Sequence, residues 1–450
     1  MAQWFPLNDI ARTLNIRPDY PNLVGDLNSW LDTGDPLADA VIESYAKDGT
    51  SIPHDIVELL LREFSDDVDD HVRCESTSRA LRHDESRQTL WKAINQVPAW
   101  VNQELISEGQ IVFWRHAPAI QIVLLFGTLV GGFSSPRINR VLVKTGYLSN
   151  QHKVYRRLLE TAQMVNQVMI PNALHPRASG WESVIRVRFL HAMVRYRQRQ
   201  HNLPQLYDEL PINQTDQIAT ILGFQCTVVT GLTYFGINLT VREREAYTHL
   251  WRLVAYYIGV DDKANPCQYG FEASTAVLRD YLDLYFKPDP QGAKLSNGVL
   301  RAVSERPPSN VPIEYSAAMS RLLISRNLAD ALHIPLTTMG WTLLARFSFF
   351  TIRLANALAY TQKWGQAIIE SRRERYPRLL QREIGRHHTF SLRLALDNQG
   401  DDLLDGVDQV GGKSVALYFG SGVLGILRSV MLRWIDTLCS VFGFAQAKPV

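Results

Sequence analysis

Residues 186–195 read RVRFLHAMVR, and the order of apolar and cationic side chains in this stretch decides how the chain is built. Arg188, His191 and Arg195 are separated by three and four residues, so on a helix they stack along one stripe together with Val184 and Val187. That stripe is half apolar and half basic. Buried alone it would be costly, because buried charge needs a partner. Either the stripe faces water, or something anionic and apolar lies against it.

The same helical period recurs outward in both directions. In GDPLADAVIESYAKDG (34–49), Asp35 is the expected N-cap, Pro36 the first helical residue and Gly49 the stop. Helix-period patterns follow at 55–65, 88–107, 117–131, 151–169, 181–199, 215–235, 242–259, 271–286, 315–329, 338–373 and 416–441, while alternating strand patterns are scarce. These patterns predict an all-α protein, a single globular helical bundle. Loops are expected where Pro, Gly and Asn cluster: 131–139, 171–180, 259–270 and 287–298. SERPPSNVP (304–312) is the best candidate for a boundary, and 369–414 reads as a polar excursion before the last helix. The expected organisation is an N-terminal extension (1–30), a core (31–300) and a C-terminal helical region packed on it (301–450).

Composition bounds the function. The 450 residues are 46% hydrophobic and 20% charged with a formal net charge of +2, the profile of an ordinary folded protein. Near-neutral charge argues against nucleic acid as a partner. Cys74, Cys226, Cys267 and Cys439 lie far apart, without a CxxC pair, so neither a disulfide framework nor a cysteine metal site is expected. The N-terminus lacks the apolar run of a signal peptide, and the chain reads as cytoplasmic. The apolar stretch 122–133 is too short to span a bilayer, and 415–445 is interrupted by Arg428, Arg433 and Asp436. Both read as core helices, with peripheral membrane contact through the C-terminal segment left open. No GxSxG elbow or P-loop occurs, GSGVLG (420–425) lacks the strand a dinucleotide fingerprint requires, and His387–His388 has no carboxylate at ligand spacing.

A second polar stripe precedes the first. In QHKVYRRLLETAQMVNQVM (151–169), Arg157, Glu160 and Thr161 share a face that continues through Met164 and Val168. Only a short Pro/Gly loop separates this helix from the one carrying His191. Antiparallel neighbours would enclose a pocket with charged groups at defined heights. An exposed Arg157–Glu160 pair is the bland alternative, worth a few tenths of a kcal/mol. For His191 the bland alternative is a satisfied core histidine. Its company favours more: haem needs an axial imidazole and cations for two propionates, and Arg188 and Arg195 flank His191 on one helix.

Six blocks, in order, carry a resemblance: GDPLADAVI (34–42), PRINRVLVKTG (136–146), RRLLETAQMVNQV (156–168), RVRFLHAMVR (186–195), PINQTDQIATILGF (211–224) and LWRLVAYYIGVDD (250–262). Spanning roughly residues 30 to 290, they resemble the haem-dependent oxygenase family of the latex clearing protein, a rubber oxygenase, and the MpaB oxygenases. The resemblance implies an all-α bundle enclosing haem b, with His191 as the iron ligand, Arg188 and Arg195 beside the propionates, and Arg157 and Thr161 on the distal helix. Thr220 is a further pocket residue. Glu160 departs from the pattern: the rubber-cleaving branch has a lysine there, so the charge above the iron is reversed. Glu160 is then a candidate general base or proton relay if burial raises its pKa. The implied chemistry is activation of O2 and attack on a C=C bond, with cleavage to two carbonyls, in a lipophilic, prenylated or isoprenoid substrate. The alternatives are a haem peroxygenase or hydroxylase, and a haem sensor or non-catalytic haem protein. Oligomeric state is not legible.

Overall fold

The computed structural model describes residues 19–47, 55–64, 84–144, 151–200, 209–305, 311–361 and 364–384, with positions 14, 17, 52 and 53 besides. The expected helix at 416–441, His387, His388, Cys74, Cys439 and the C-terminal apolar segment lie outside the described residues. Among those described, helices make the fold and no strand occurs. They are α1 Pro36–Lys47, α2 Ile56–Glu63, α3 Glu85–Ile94, α4 Gln103–Ile122, α5 Pro136–Lys144, α6 Gln151–Val168, α7 Ser179–Gln200 and α8 Gln214–Leu232. Then come α9 Val241–Ile258, α10 Phe271–Tyr285, α11 Pro290–Val303, α12 Ile313–Leu323, α13 Arg326–Ala331, α14 Met339–Leu358 and α15 Gly365–Ile384.

α7, the helix of the opening stretch, packs on α1, α6 and α9, and α8 packs on α9 and α10. One apolar core joins them, with Phe113, Trp181, Phe189, Val229, Trp251 and Met319 fully buried in it. α4 and α9 pack at Gly109, where a Cβ would come within 2.7 Å of the Ala246 carbonyl oxygen; only a glycine allows that approach. α4 runs into a π-helical segment, Val123–Leu129. Wide π turns are frequent at functional sites. The stretches Gln103–Gly132 and Gln214–Phe235 are long and apolar enough to cross a membrane, yet 78% and 61% of their most apolar windows are buried inside the protein. Core packing therefore explains their composition. One face of α14, with Met339, Leu343, Phe347, Phe350, Leu354 and Leu358, is left exposed by the described residues.

Several local expectations are corrected. The stretch 88–107 is not one helix: α3 ends at Ile94, and Asn102 caps α4 by accepting from the Glu104 and Leu105 amides. Residues 287–298 are largely helix. Asp289 caps α11 by accepting from Gly292 N, and Pro290 occupies the first turn, where its missing N–H costs nothing. The proline of 131–139 likewise opens a helix, α5. The stretch 315–329 breaks at Ser325, which caps α13 through Leu328 N, and 338–373 breaks between α14 and α15. Cys226 and Cys267 are buried free thiols.

Candidate functional site

A cavity of about 480 Å³ lies between α6, α7, α8 and the π segment, within the ~300–1,000 Å³ range of small-molecule pockets. Its wall is mostly apolar, with Leu124, Leu129, Leu142, Leu190, Phe224 and Val254 among its residues. Arg157 and Thr161 come from α6, His191 from α7, Asp216, Gln217 and Thr220 from α8, and Thr128 from the π segment. Four of the candidate site residues, Arg157, Thr161, His191 and Thr220, are thus brought to one cavity by three helices.

His191 is partly buried, and loss of solvation together with the nearby Arg195 guanidinium drives its pKa down to about 3. The imidazole is neutral, as a metal ligand must be. Its Nδ1 has no hydrogen-bond partner. Thr161 Oγ1 donates to Arg157 O at 3.0 Å and Thr220 Oγ1 donates to Asp216 O at 2.8 Å. With their protons committed to backbone carbonyls, both hydroxyls offer the cavity acceptor lone pairs. Thr227, also on the wall, spends its proton on Gly223 O, so the Thr128 hydroxyl donates to Thr227 Oγ1 at 2.5 Å.

Arg188 and Arg195 lie apart from the cavity, and each has its anion within the protein. Arg188 Nε and Nη2 donate to the Asp35 carboxylate at 2.6 and 2.8 Å. Arg195 Nε contacts both Asp39 oxygens at 2.8 and 3.0 Å, while its Nη1 donates to Ile212 O at 3.0 Å. The anions asked for by the basic stripe are therefore Asp35, just before α1, and Asp39 within it. Burial opposes the Asp35 charge, but Arg188 outweighs it and holds the carboxyl below its usual range. Gln214 ties the knot further, donating to Gly34 O at 2.6 Å and Gly259 O at 2.9 Å.

Glu160 stands apart from the cavity as well; its oxygens accept from Arg156 Nε at 3.2 Å and Arg157 Nη1 at 2.5 Å. Its carboxylate orients the arginine that does face the cavity. Asp216 and Gln217 were not singled out in the sequence. Both lie on the wall, and burial pushes the Asp216 carboxyl above its usual range despite Arg137 Nε at 3.3 Å. Their signal was an acid and a carboxamide four and three residues before Thr220 on an apolar helix.

The described residues hold no group of three or more His, Cys, Asp or Glu side chains able to bind a metal ion. A lone imidazole suits a metal that brings its other ligands with it. Haem does so, taking one axial nitrogen from the protein. The cavity volume, the apolar wall, the neutral His191 imidazole and the Arg157 guanidinium fit that group, with Arg157 in the part first given to Arg188 and Arg195.

Comparison with known proteins gives a concordant result. Residues 114–357 match the family model described as "ER-bound oxygenase mpaB/B'/Rubber oxygenase, catalytic domain". A rubber oxygenase from Streptomyces sp. (strain K30) is 23% identical over 360 residues, covering 76% of this chain and 80% of that protein. The structure of the latex clearing protein in its closed state aligns with a TM-score of 0.58 at 19% identity, over 76% of this chain and 89% of that one. That likeness establishes the shared fold.

Proposed function

The chain belongs to the MpaB and rubber oxygenase family and is an oxygenase, and from that premise we propose that it binds haem b in the α6–α7–α8 cavity and oxidises a C=C bond of a lipophilic, isoprenoid-type substrate. The observation that carries this reading is His191, a neutral imidazole on the wall of an apolar cavity large enough for the group. Bound there, haem supplies the redox chemistry of O2 activation.

His191 would hold the iron through a ring nitrogen, from a helix fixed by the Asp35 and Asp39 pairs. Arg157, steadied by Glu160, presents a cation to an anionic group of the cofactor. Apolar walls exclude water and favour a substrate without charge. Thr161 and Thr220 serve as acceptors for a protonated oxygen, because their own hydrogens are engaged. Proton donation is a role that suits Asp216, whose carboxyl burial favours the protonated form.

The test is the absorption spectrum of the purified, haem-reconstituted protein. A Soret band at one haem per chain is expected, and His191→Ala should lose stoichiometric haem while keeping its helix content. Full haem with an unchanged Soret maximum in that variant would refute the ligand assignment. O2 consumption coupled to carbonyl formation from short isoprenoid alkenes tests the reaction itself.

A further inference from the structure

Two buried polar atoms on the cavity wall make no hydrogen bond of ordinary geometry: Nδ1 of His191 and Oε1 of Gln217. Both side chains line the cavity, and Gln217 is only 4% exposed. An orphaned buried acceptor is costly, so two complementary orphans on one cavity wall call for an explanation. The orientation of the carboxamide follows from its other end. Gln217 Nε2 points to Ile212 O at 3.5 Å, the carbonyl that Arg195 Nη1 also approaches, so turning the amide over would set oxygen against oxygen. Oε1 is therefore the end left over, and the carboxamide interacts with the imidazole in the sense that favours a proton on the ring.

We infer that Gln217 is the positioning residue of the axial histidine: its Oε1 accepts the Nδ1–H of His191, fixing the tautomer and ring plane and leaving Nε2 as the metal-binding nitrogen. The inference rests on the haem reading above. A neutral imidazole has one N–H and one bare lone pair. Giving the N–H to Gln217 satisfies both orphans at once and commits the lone pair to the cofactor. Metal-bound histidines generally hand their second nitrogen to such an acceptor, which sets ligand orientation and basicity. Asp35, Arg195 and Arg157 also lie near the ring, but the Asp35 carboxylate is taken by Arg188 and a guanidinium has no acceptor to offer. None competes with Gln217 for the proton.

Gln217→Leu keeps the bulk and removes the acceptor; Gln217→Glu strengthens it. Haem affinity should fall about 10- to 100-fold in Gln217→Leu, the usual effect of losing such an outer partner. In the ferrous protein the iron–histidine stretch, read by resonance Raman, should move to lower frequency in Gln217→Leu and to higher frequency in Gln217→Glu. A purely structural role would leave that band in place. A second route avoids dependence on either variant folding well: His191→Gly is supplied with imidazole or 1-methylimidazole as an external ligand. Imidazole, which keeps an N–H to donate, should restore the haem spectrum at lower concentration, and the preference should vanish in His191→Gly/Gln217→Leu. Equal rescue by both ligands, or a wild-type stretch and affinity in Gln217→Leu, overturns the role of Gln217 and leaves the haem reading intact. No Soret band in the wild-type protein overturns the haem reading and this inference with it.

Discussion

Changing Asp35 to Asn would leave a guanidinium inside the protein without its anion. Asp35 is 2% exposed and Arg188 5%, and the two meet through paired contacts at 2.6 and 2.8 Å. Breaking a buried pair from one side costs about 3–5 kcal/mol. Asparagine keeps the size of the side chain and one acceptor, so the lower end applies: about 3 kcal/mol, or roughly a hundredfold in the folding equilibrium. Set against a total of ~5–15 kcal/mol for a native domain, that is a large loss. The variant and the wild type are compared by urea unfolding, followed by far-UV circular dichroism. A double variant, Asp35→Leu/Arg188→Met, should be far more stable than the sum of its singles, because no charge is then left stranded. The pH dependence has a definite sign. The folded carboxyl sits below its usual range, so the Asp35 contribution is complete above the unfolded pKa of ~4 and fades as pH falls through the folded value. The gap between wild type and Asp35→Asn should therefore be full at neutral pH and close only in strong acid. A gap under about 0.5 kcal/mol at neutral pH would mean that Arg188 is not confined with Asp35 alone, and would return it to the haem propionates.

Three further outcomes are expected. Glu160→Gln should leave turnover within about a factor of two, because the carboxylate stands outside the cavity; a fall of ~10²-fold would reinstate it as a proton carrier. Arg157→Met should weaken haem retention by about 10- to 100-fold, the equivalent of a charge-assisted contact, in a haem-transfer assay against apomyoglobin, and unchanged retention would remove Arg157 from the cofactor. His116 is buried with its Nε2 2.9 Å from the Tyr360 hydroxyl, and burial lowers its pKa to about 3. Its neutral form is the one that folds, so stability should drop as pH falls below the unfolded imidazole value of ~6.5. His116→Gln should flatten part of that slope between pH 6.5 and 4 in thermal unfolding, and an unaltered slope would refute the assignment.

How much the sequence decides differs from one feature to the next. The helical class was legible because spacing alone, such as Arg188–His191–Arg195, sets a period of 3.6 that no strand shares. The site helices α6, α7 and α8 were legible for the same reason, and so were Arg157, Thr161, His191 and Thr220 as residues on their inner faces. α5 and α11 were not, since a proline that opens a helix and one that breaks a loop look alike until the first turn's N–H groups find their partners. The sequence could say that Arg188 and Arg195 needed anions; it could not say which. Asp35 and Asp39 stand some 150 residues away in the chain, and only the crossing of α1 over α7 brings them within 3 Å. Glu160 shows the same limit on a smaller scale. Periodicity puts it on the face of Arg157, but one helical turn spans a wide arc, and neighbour packing decided that the arginine faces the cavity and the carboxylate does not. Gln217 was silent in the sequence because a carboxamide carries no charge to mark it; its meaning comes from an imidazole on another helix that lacks a partner. Local periodicity is a property of the backbone and can be read along the chain, whereas the pairing of a buried polar group is settled by whichever distant group the packing brings to it.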